Sequence, residues 1–237
     1  MKPILYTLAL AGGLAIPLSV QAENISLNFY ALGIRAGTIT VNGIESQNSY
    51  SLKGAVSPTA LLRKFKDVGF NGSASGSVKN GEFYSKKYAG NARTGSRNSK
   101  VQIRWSGKTP IVEKYAPQRE KRPYDINPAK QTNTKDLLTS AYAVFKTASV
   151  DKLCNVTHKM FDGRRRTQIS LGTPKISGKI ATCNGTYKRV AGFSPSQMQK
   201  KVNFPFTMYY EQQDDGSYRF KEFTAAATFG KIRATRK

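Results

Sequence analysis

The chain of 237 residues is poor in the side chains that most often carry chemistry. It contains one histidine, two cysteines and one tryptophan, against 38 lysines and arginines. A zinc site built from histidine and cysteine needs more ligands, and neither a second histidine nor a CxxC pair exists. A Ser-His-Asp triad would have to use His158, but the GxSxG motif of a nucleophile elbow is missing. We therefore interpret His158 as an ordinary strand residue and expect no catalytic residue, no metal site and no cofactor.

Acidic residues are also scarce, and their positions indicate no reaction. The sequence has 14 aspartates and glutamates, mostly in turns or beside basic residues. A glycosidase needs two positioned carboxylates, and no such pair stands out. The GxxxxGK[ST] motif that cradles phosphates is absent as well. We expect a non-enzymatic protein, with an enzyme acting on envelope polymers as a distant alternative.

Long apolar runs are absent after the first residues. Lys2, the apolar run 4–16 and the small-x-small pattern that ends at Ala22 are typical of a cleaved signal peptide. A membrane anchor is the alternative, but the run is short for a bilayer and Pro17 interrupts it. We predict a signal peptide over residues 1–22, cleavage after Ala22, and one β-rich domain over 23–237. The expected location is the periplasm, with no transmembrane segment after cleavage.

The net charge of +24 indicates anionic partners. In the periplasm these would be anionic envelope lipids or wall polymers, and nucleic acid is not expected there. Within a predicted hairpin, the pair Asp162-Gly163 favours a type I′ turn and is followed by Arg164, Arg165 and Arg166. Planar guanidinium groups suit phosphate, so these arginines are a candidate anion-binding site. The alternative is a solvated hairpin tip without a ligand.

Most of the predicted domain alternates apolar and polar residues, the period of half-buried strands. The fold class predicted is mainly β: a highly curved antiparallel sheet, either a barrel or a half-barrel, because curling removes open edges. One main amphipathic helix is predicted from a Thr134 cap to about Thr147. A short helix is predicted with Ser57 as its cap and Pro58 at its first position.

The main helix and the sheet together suggest a space for an apolar guest. Leu138, Tyr142 and Phe145 on the helix, with Trp105 on a strand, are candidate lining residues of a cavity for an acyl chain or a partner segment. The alternative is an interior packed entirely with its own side chains, as in many small barrels. Binding of an acyl chain would be insensitive to salt, whereas docking on anionic material would weaken in salt.

The two cysteines, Cys154 and Cys183, flank a predicted β-meander. In an exported chain they are most simply a structural disulfide. A reactive thiol is the alternative, although no redox CxxC motif is present.

Several short segments together resemble a known family. They are Cys154-Asn155, residues 161–166, residues 183–193, residues 33–37 and Pro123-Tyr124-Asp125. On these, the predicted mature chain resembles the exported bacterial domain-of-unknown-function family numbered 3108. The resemblance implies a curved antiparallel sheet, with a remote likeness to periplasmic lipoprotein carriers of the LolA type. Because the family has no settled activity, it implies an envelope binding or scaffold module and supplies no catalytic residues.

Overall fold

The computed structural model describes residues 20–65, 68–227 and 230–237. Most of the predicted signal peptide, residues 1–19, therefore lies outside the described residues. The first strand begins at Gln21, so the predicted cleavage after Ala22 falls near its start. Within the described ranges, no helix is both long enough and apolar enough to cross a membrane.

The described chain forms a single antiparallel sheet of fourteen strands with a few short helices. The strands are β1 Gln21–Ala31, β2 Ile34–Glu45, β3 Ser49–Pro58, β4 Val68–Lys79, β5 Glu82–Thr94, β6 Arg97–Ser106, β7 Thr109–Ala116, β8 Val156–Phe161, β9 Arg166–Leu171, β10 Lys175–Ser177, β11 Ile180–Ala191, β12 Asn203–Gln212, β13 Tyr218–Ala227 and β14 Gly230–Arg236. The helices are α1 Ala60–Phe65, α2 Leu137–Phe145, α3 Val150–Leu153 and α4 Pro195–Lys200, with a 3-10 turn at Pro128–Lys130.

The strands form two meanders joined in the middle of the sheet. The spatial order is β7-β6-β5-β4-β3-β2-β1-β14-β13-β12-β11-β9-β8, and β10 pairs only with β11. The seam between the meanders is the pairing of β1 with β14, where Leu27 lies opposite Arg236. The predicted mainly-β antiparallel sheet is confirmed. It is open rather than closed, with β7 and β8 as its edges.

The gap between the two edge strands is crossed by the chain that precedes α2. On one side the Asn133 amide donates to the Lys108 carbonyl, at 2.9 Å. On the other side the Lys135 amide donates to the Lys159 carbonyl at 2.8 Å, and Phe161 donates back to Lys135 at 3.0 Å. The edge strand β8 therefore has backbone partners here, whereas on the other side the contact is with the β6–β7 turn.

The sheet has two distinct ends, because every strand pair is antiparallel. Strands β1, β3, β5, β7, β8, β11 and β13 all finish at the same end. We call this end the rim, and its loops within the described residues are 31–34, 59–65, 94–97, 116–125, 162–165 and 192–202.

Helix α2 is fixed inside the curved sheet by its cap residue. The cap is Asp136, whose Oδ1 accepts from the Thr139 amide at 2.8 Å, and not Thr134 as the sequence predicted. Its Oδ2 accepts from the Ser85 hydroxyl of β5 at 2.6 Å and from the Thr139 hydroxyl at 2.7 Å. Asp136 has no solvent exposure. The helix start is thus set by a strand residue distant in sequence.

The body of α2 packs closely on the sheet. A Cβ added to Gly43 would lie 2.4 Å from the Tyr142 ring, and one added to Gly54 would lie 2.5 Å from Leu138. The helix approaches these two strands closely because glycine leaves room there. At the other end of the helix, the Tyr142 hydroxyl and the Lys146 ammonium both donate to Glu45, at 2.7 and 2.6 Å.

The short helices differ in part from the prediction. Ser57 and Pro58 stay in β3, opposite Thr38 and Gly37, because the ladder with β2 continues through them. Helix α1 begins later, and the Thr59 hydroxyl accepts from its first turn. Besides α2 the described residues contain three short helices.

Candidate functional site

The rim carries an open cleft of about 960 Å³ lined by arginines. We call it the arginine cleft. Its walls come from the β5–β6 turn, the crossing after β7, the β8–β9 hairpin and the segment before α4. The arginines that line it are Arg97, Arg119, Arg122, Arg164 and Arg165.

The β8–β9 hairpin presents its arginines through a turn built on Asp162. Its Oδ1 accepts from the amides of Arg164 and Arg165, at 2.9 and 2.7 Å. Because the carboxylate organises the turn and only Gly163 has a positive φ, of 97°, the predicted type I′ turn is wrong. Burial raises the pKa of Asp162, while those amides and the arginine charges act in the opposite direction.

Arg164 is held in a fixed position in the cleft wall. Its Cζ atom lies 3.6 Å from the centre of the Tyr115 ring, and one terminal nitrogen donates to the Pro117 carbonyl at 3.0 Å. Stacking and the hydrogen bond orient the guanidinium without neutralising its charge. Burial raises the pKa of Tyr115, which therefore stays neutral beside Arg164.

Arg165 and Arg97 are the exposed arginines of the cleft whose guanidinium groups are open to a ligand. The Cζ atom of Arg165 lies 5.1 Å from the centre of the buried Phe193 ring. In residues 20–65, 68–227 and 230–237, neither guanidinium has a hydrogen-bond or ion-pair partner. Both can therefore turn toward an anion without breaking an existing ion pair.

The crossing after β7 contributes Arg119 and Arg122. Arg119 forms a two-pronged ion pair with Asp125, with one of its bonds at 2.8 Å. The Arg122 amide also donates to Asp125 at 2.9 Å, and its guanidinium donates to the Tyr124 hydroxyl at 2.6 Å. Hydrogen bonding to Arg119 lowers the pKa of Asp125, so this carboxylate stays charged and fixes the loop.

The structure places two of the three predicted arginines in the cleft. Arg166 does not line it, because it lies in β9 and directs one guanidinium nitrogen toward Gln131, at 3.5 Å. Arg97, Arg119 and Arg122 were not predicted from the sequence. The available signal was that basic residues recur in loops at one end of the sheet, but using it required the strand order.

The four predicted lining residues of an apolar cavity belong to the packed interior. Leu138, Tyr142 and Trp105 are 5%, 0% and 6% exposed, and Phe145 stacks edge-on against Phe220 with ring centres 4.7 Å apart. The indole N–H of Trp105 is buried and has no hydrogen-bond partner within the described residues. The acyl-chain site stays a prediction.

A second open cavity, of about 780 Å³, lies across β9 and β11–β14. Its lining includes Phe206, Pro205 and Ala225, and none of the four predicted residues takes part. Among the described residues that line it, Lys231 is the one that is charged. The polar lining of the cavity consists of hydroxyl and amide side chains, those of Ser170, Asn184, Thr186, Thr207 and Thr224.

The cysteines form the predicted bond. Cys154 and Cys183 are joined as a disulfide, with their Cα atoms 6.2 Å apart. Their exposures are 2% and 0%, so the alternative of a reactive thiol is wrong. The bond links the segment before β8 to β11 through the interior of the second meander.

His158 lies outside the arginine cleft. Its Nδ1 is 3.4 Å from the ammonium of Lys135, which pairs with Glu82 at 3.2 Å. Burial and the neighbouring Lys135 lower the pKa of His158 to about 4, so the ring is neutral at pH 7. Among the described residues, no three His, Cys, Asp or Glu side chains form a group that could hold a metal ion.

Comparison with known proteins gives one match. A family model described as "Protein of unknown function (DUF3108)" matches residues 24–222. No curated protein and no solved structure matches the chain. The family match confirms the resemblance noted from the sequence, whereas the likeness to LolA-type carriers finds no support in these comparisons.

Proposed function

The chain belongs to the DUF3108 family of proteins of unknown function, and from its arginine cleft we propose that it is a non-enzymatic binding module of the periplasm. The ligand proposed is a phosphate-bearing anion of the cell envelope, on a lipid or a glycan. The observation that carries the proposal is that five guanidinium groups, from three separate segments, line one cleft of about 960 Å³.

The charge balance in the cleft favours an anion. Asp125 neutralises Arg119, and Asp162 binds backbone amides of the hairpin turn. Four of the five lining arginines thus have no carboxylate partner in the part of the chain that is described. Five arginines and one aspartate, Asp162, line the cleft. Such an excess of one sign concentrates the electric field and attracts ligands of the opposite sign.

The geometry of the arginines suits phosphate groups. Guanidinium groups bind phosphate through paired N–H donors, and such charge-assisted hydrogen bonds are among the stronger ones. Arg164 is preoriented by Tyr115, whereas Arg97 and Arg165 can adjust to the ligand. Hydroxyl and amide side chains lie beside them and suit a polar headgroup or a sugar, namely Thr94, Ser96, Asn98 and Ser99.

Binding without catalysis is the interpretation that fits the titratable groups. Asp162 lines the cleft, and its Oδ1 already accepts two backbone hydrogen bonds. His158 lies elsewhere, with a pKa lowered to about 4. The hydrogen bonds of Asp162 give it a role in holding the hairpin turn, and we propose no catalytic step in the cleft.

An acyl-chain carrier is the weaker proposal. The residues predicted to line its cavity pack on the sheet and on each other, and Tyr142 would overlap even a Cβ at position 43. An acyl chain would have to displace these side chains. We therefore place the ligand at the rim.

Export to the periplasm is part of the proposal and has its own test. It is supported by the signal-peptide pattern before Glu23 and by the buried disulfide, which suits an oxidising compartment. N-terminal sequencing of the protein secreted by its own host should begin at Glu23. A chain that retains Met1 would contradict it.

The cleft is tested by calorimetric titration of the whole protein with inorganic pyrophosphate and with glucosamine phosphate. We expect saturable binding that weakens as salt rises. Loss of a charge-assisted hydrogen bond should weaken binding about tenfold or more in Arg165→Gln and in Arg97→Gln.

The matched control is Arg104→Gln. Arg104 lies on the same strand as Arg97 and changes the net charge equally, but it pairs with Glu113 outside the cleft. If Arg104→Gln reduces binding as much as Arg97→Gln, the attraction is a property of total charge and the cleft proposal is wrong.

A further inference from the structure

The turn between β1 and β2 has an unusual residue for its geometry. Leu32 and Gly33 have φ angles of 54° and 77°, so both central residues lie in the left-handed region, as in a type I′ turn. Asparagine, aspartate and glycine are preferred there, and leucine is disfavoured. Leu32 is nevertheless 62% exposed, so burial in the core does not explain it.

Two further apolar side chains are exposed beside this turn. Ile34 is 60% exposed and Leu61 on α1 is 54% exposed. Helix α1 lies next to β2, because Thr59 donates its amide to the Ala36 carbonyl at 2.9 Å and Pro58 pairs with Gly37. We call Leu32, Ile34 and Leu61 the apolar tip.

The apolar tip and the arginine cleft face the same way. Strands β1 and β3, which lead to the tip, finish at the rim together with β5, β7 and β8, which lead to the cleft. Arginines also flank the tip itself: Arg35 follows Ile34 directly, and Arg63 follows Leu61 after one residue. The rim thus combines exposed apolar side chains with an excess of positive charge.

We propose that the rim docks on an anionic phospholipid bilayer. The apolar tip enters the interfacial layer, while the cleft arginines bind lipid phosphates, a part that rests on the proposed function. Apolar side chains at loop ends, flanked by arginines, match the two layers of such a surface, since headgroup phosphates lie just outside the acyl boundary. The charge of +24 favours an anionic surface over a neutral one.

The experiment is sedimentation of the whole protein with vesicles, of phosphatidylcholine alone and of phosphatidylcholine mixed with phosphatidylglycerol. The first variant is Leu32→Asn, which creates Asn-Gly, the preferred type I′ pair. Its melting temperature should equal or exceed that of the parent, while its vesicle affinity should fall about tenfold through the loss of one apolar contact. A purely structural role for Leu32 would not separate these two readouts.

The second variant has a control on the same strand. Ile34→Ser should weaken vesicle binding about as much as Leu32→Asn. Ile44→Ser removes an equally exposed isoleucine, 56% against 60%, but at the opposite end of β2. It should leave vesicle binding unchanged. Equal losses of vesicle binding in Ile34→Ser and Ile44→Ser would overturn the docking proposal, as would no loss in Leu32→Asn.

Pyrophosphate titration of the same proteins separates the two proposals. If pyrophosphate binds but vesicles do not, the docking proposal is wrong and the cleft remains an anion site. If vesicles bind through Leu32 but pyrophosphate does not bind, the cleft proposal is wrong and docking rests on the apolar tip. If Leu32→Asn abolishes self-association in the ultracentrifuge instead of vesicle binding, the tip is a protein contact and docking is wrong.

Discussion

The buried cap of α2 offers the sharpest test of how this fold is held together. Replacing Asp136 by alanine removes the hydrogen-bond acceptor of the Thr139 amide and of two buried hydroxyl groups, those of Ser85 and Thr139. Loss of an N-cap costs about 1 kcal/mol. A buried hydroxyl left without its partner costs about 1–3 kcal/mol.

The expected total for Asp136→Ala is a loss of roughly 4 kcal/mol in the free energy of unfolding. The Ser85 O–H contributes most, because it loses its acceptor, although the Ser85 oxygen still accepts from the amide of residue 136 at 3.0 Å. The Thr139 hydroxyl keeps a second partner in the Tyr50 hydroxyl, at 2.8 Å. Domain stabilities of about 5–15 kcal/mol make this a large fraction. Asp136→Asn is the matched control, since it keeps the shape and one acceptor, and it should cost about 1 kcal/mol.

Urea unfolding followed by tryptophan fluorescence is the measurement, because the single tryptophan is Trp105, which is 6% exposed in the core. An alanine variant that loses no more than the asparagine variant would refute the reasoning. The pH dependence gives a second readout, since burial raises the pKa of Asp136 above its ordinary 3.8. The stability linked to this group is full below pH 3.8 and is lost as pH rises through the native pKa. The relative cost of Asp136→Asn should therefore shrink as pH rises.

Three further outcomes are expected. The pKa of His158 is about 4 in the folded protein, against an ordinary 6.5. Between these values the unfolded chain binds a proton that the folded protein does not. The free energy of unfolding is therefore full above pH 6.5 and falls by about 3 kcal/mol at most as pH drops toward 4. The free energy of unfolding should fall more steeply with decreasing pH in the parent than in His158→Gln. Parallel pH profiles of the two proteins would contradict this. The pair Cys154→Ala and Cys183→Ala opens a loop of 29 residues and should lower stability by about 3–4 kcal/mol in urea, against no loss if the bond is dispensable. Gly43→Ala forces Tyr142 outward and should cost about 1–3 kcal/mol, with a normal melting curve as the contrary result.

The strands were largely predictable because alternation is a local property. Phe206, Met208 and Tyr210 occupy every second position and are 6%, 1% and 0% exposed. Each needs only its immediate neighbours to reveal which face it takes. The order of the strands was not predictable, since nothing local in β1 indicates that its second neighbour is β14.

The start of α2 shows where local reasoning fails. Thr134 and Asp136 are both good caps by residue type. The choice is made by Ser85, which is 51 residues away and donates to Asp136. A partner so distant in sequence leaves no trace in the pattern around the helix.

Only part of the arginine cleft could be predicted from the sequence, for the same reason. Arg164 and Arg165 stand out as a charge run next to a hairpin turn. Arg97 and Arg119 come from other loops, and only the common direction of β5, β7 and β8 brings these loops together. The exclusion of Arg166 follows from the register of β9, in which Arg166 pairs with Phe161.

The seam between β1 and β14 has a consequence for the order in which the chain acquires its structure. Each meander is made of neighbouring hairpins, whose strands can pair soon after they are synthesised. The seam is different, because the contact between Arg236 and Glu23 spans 213 residues of sequence. Strands β1 and β13 therefore each keep an unpaired edge until β14 lies between them, and until then both edges can pair with other chains. A newly made molecule would thus be most vulnerable to aggregation just before β14 is in place.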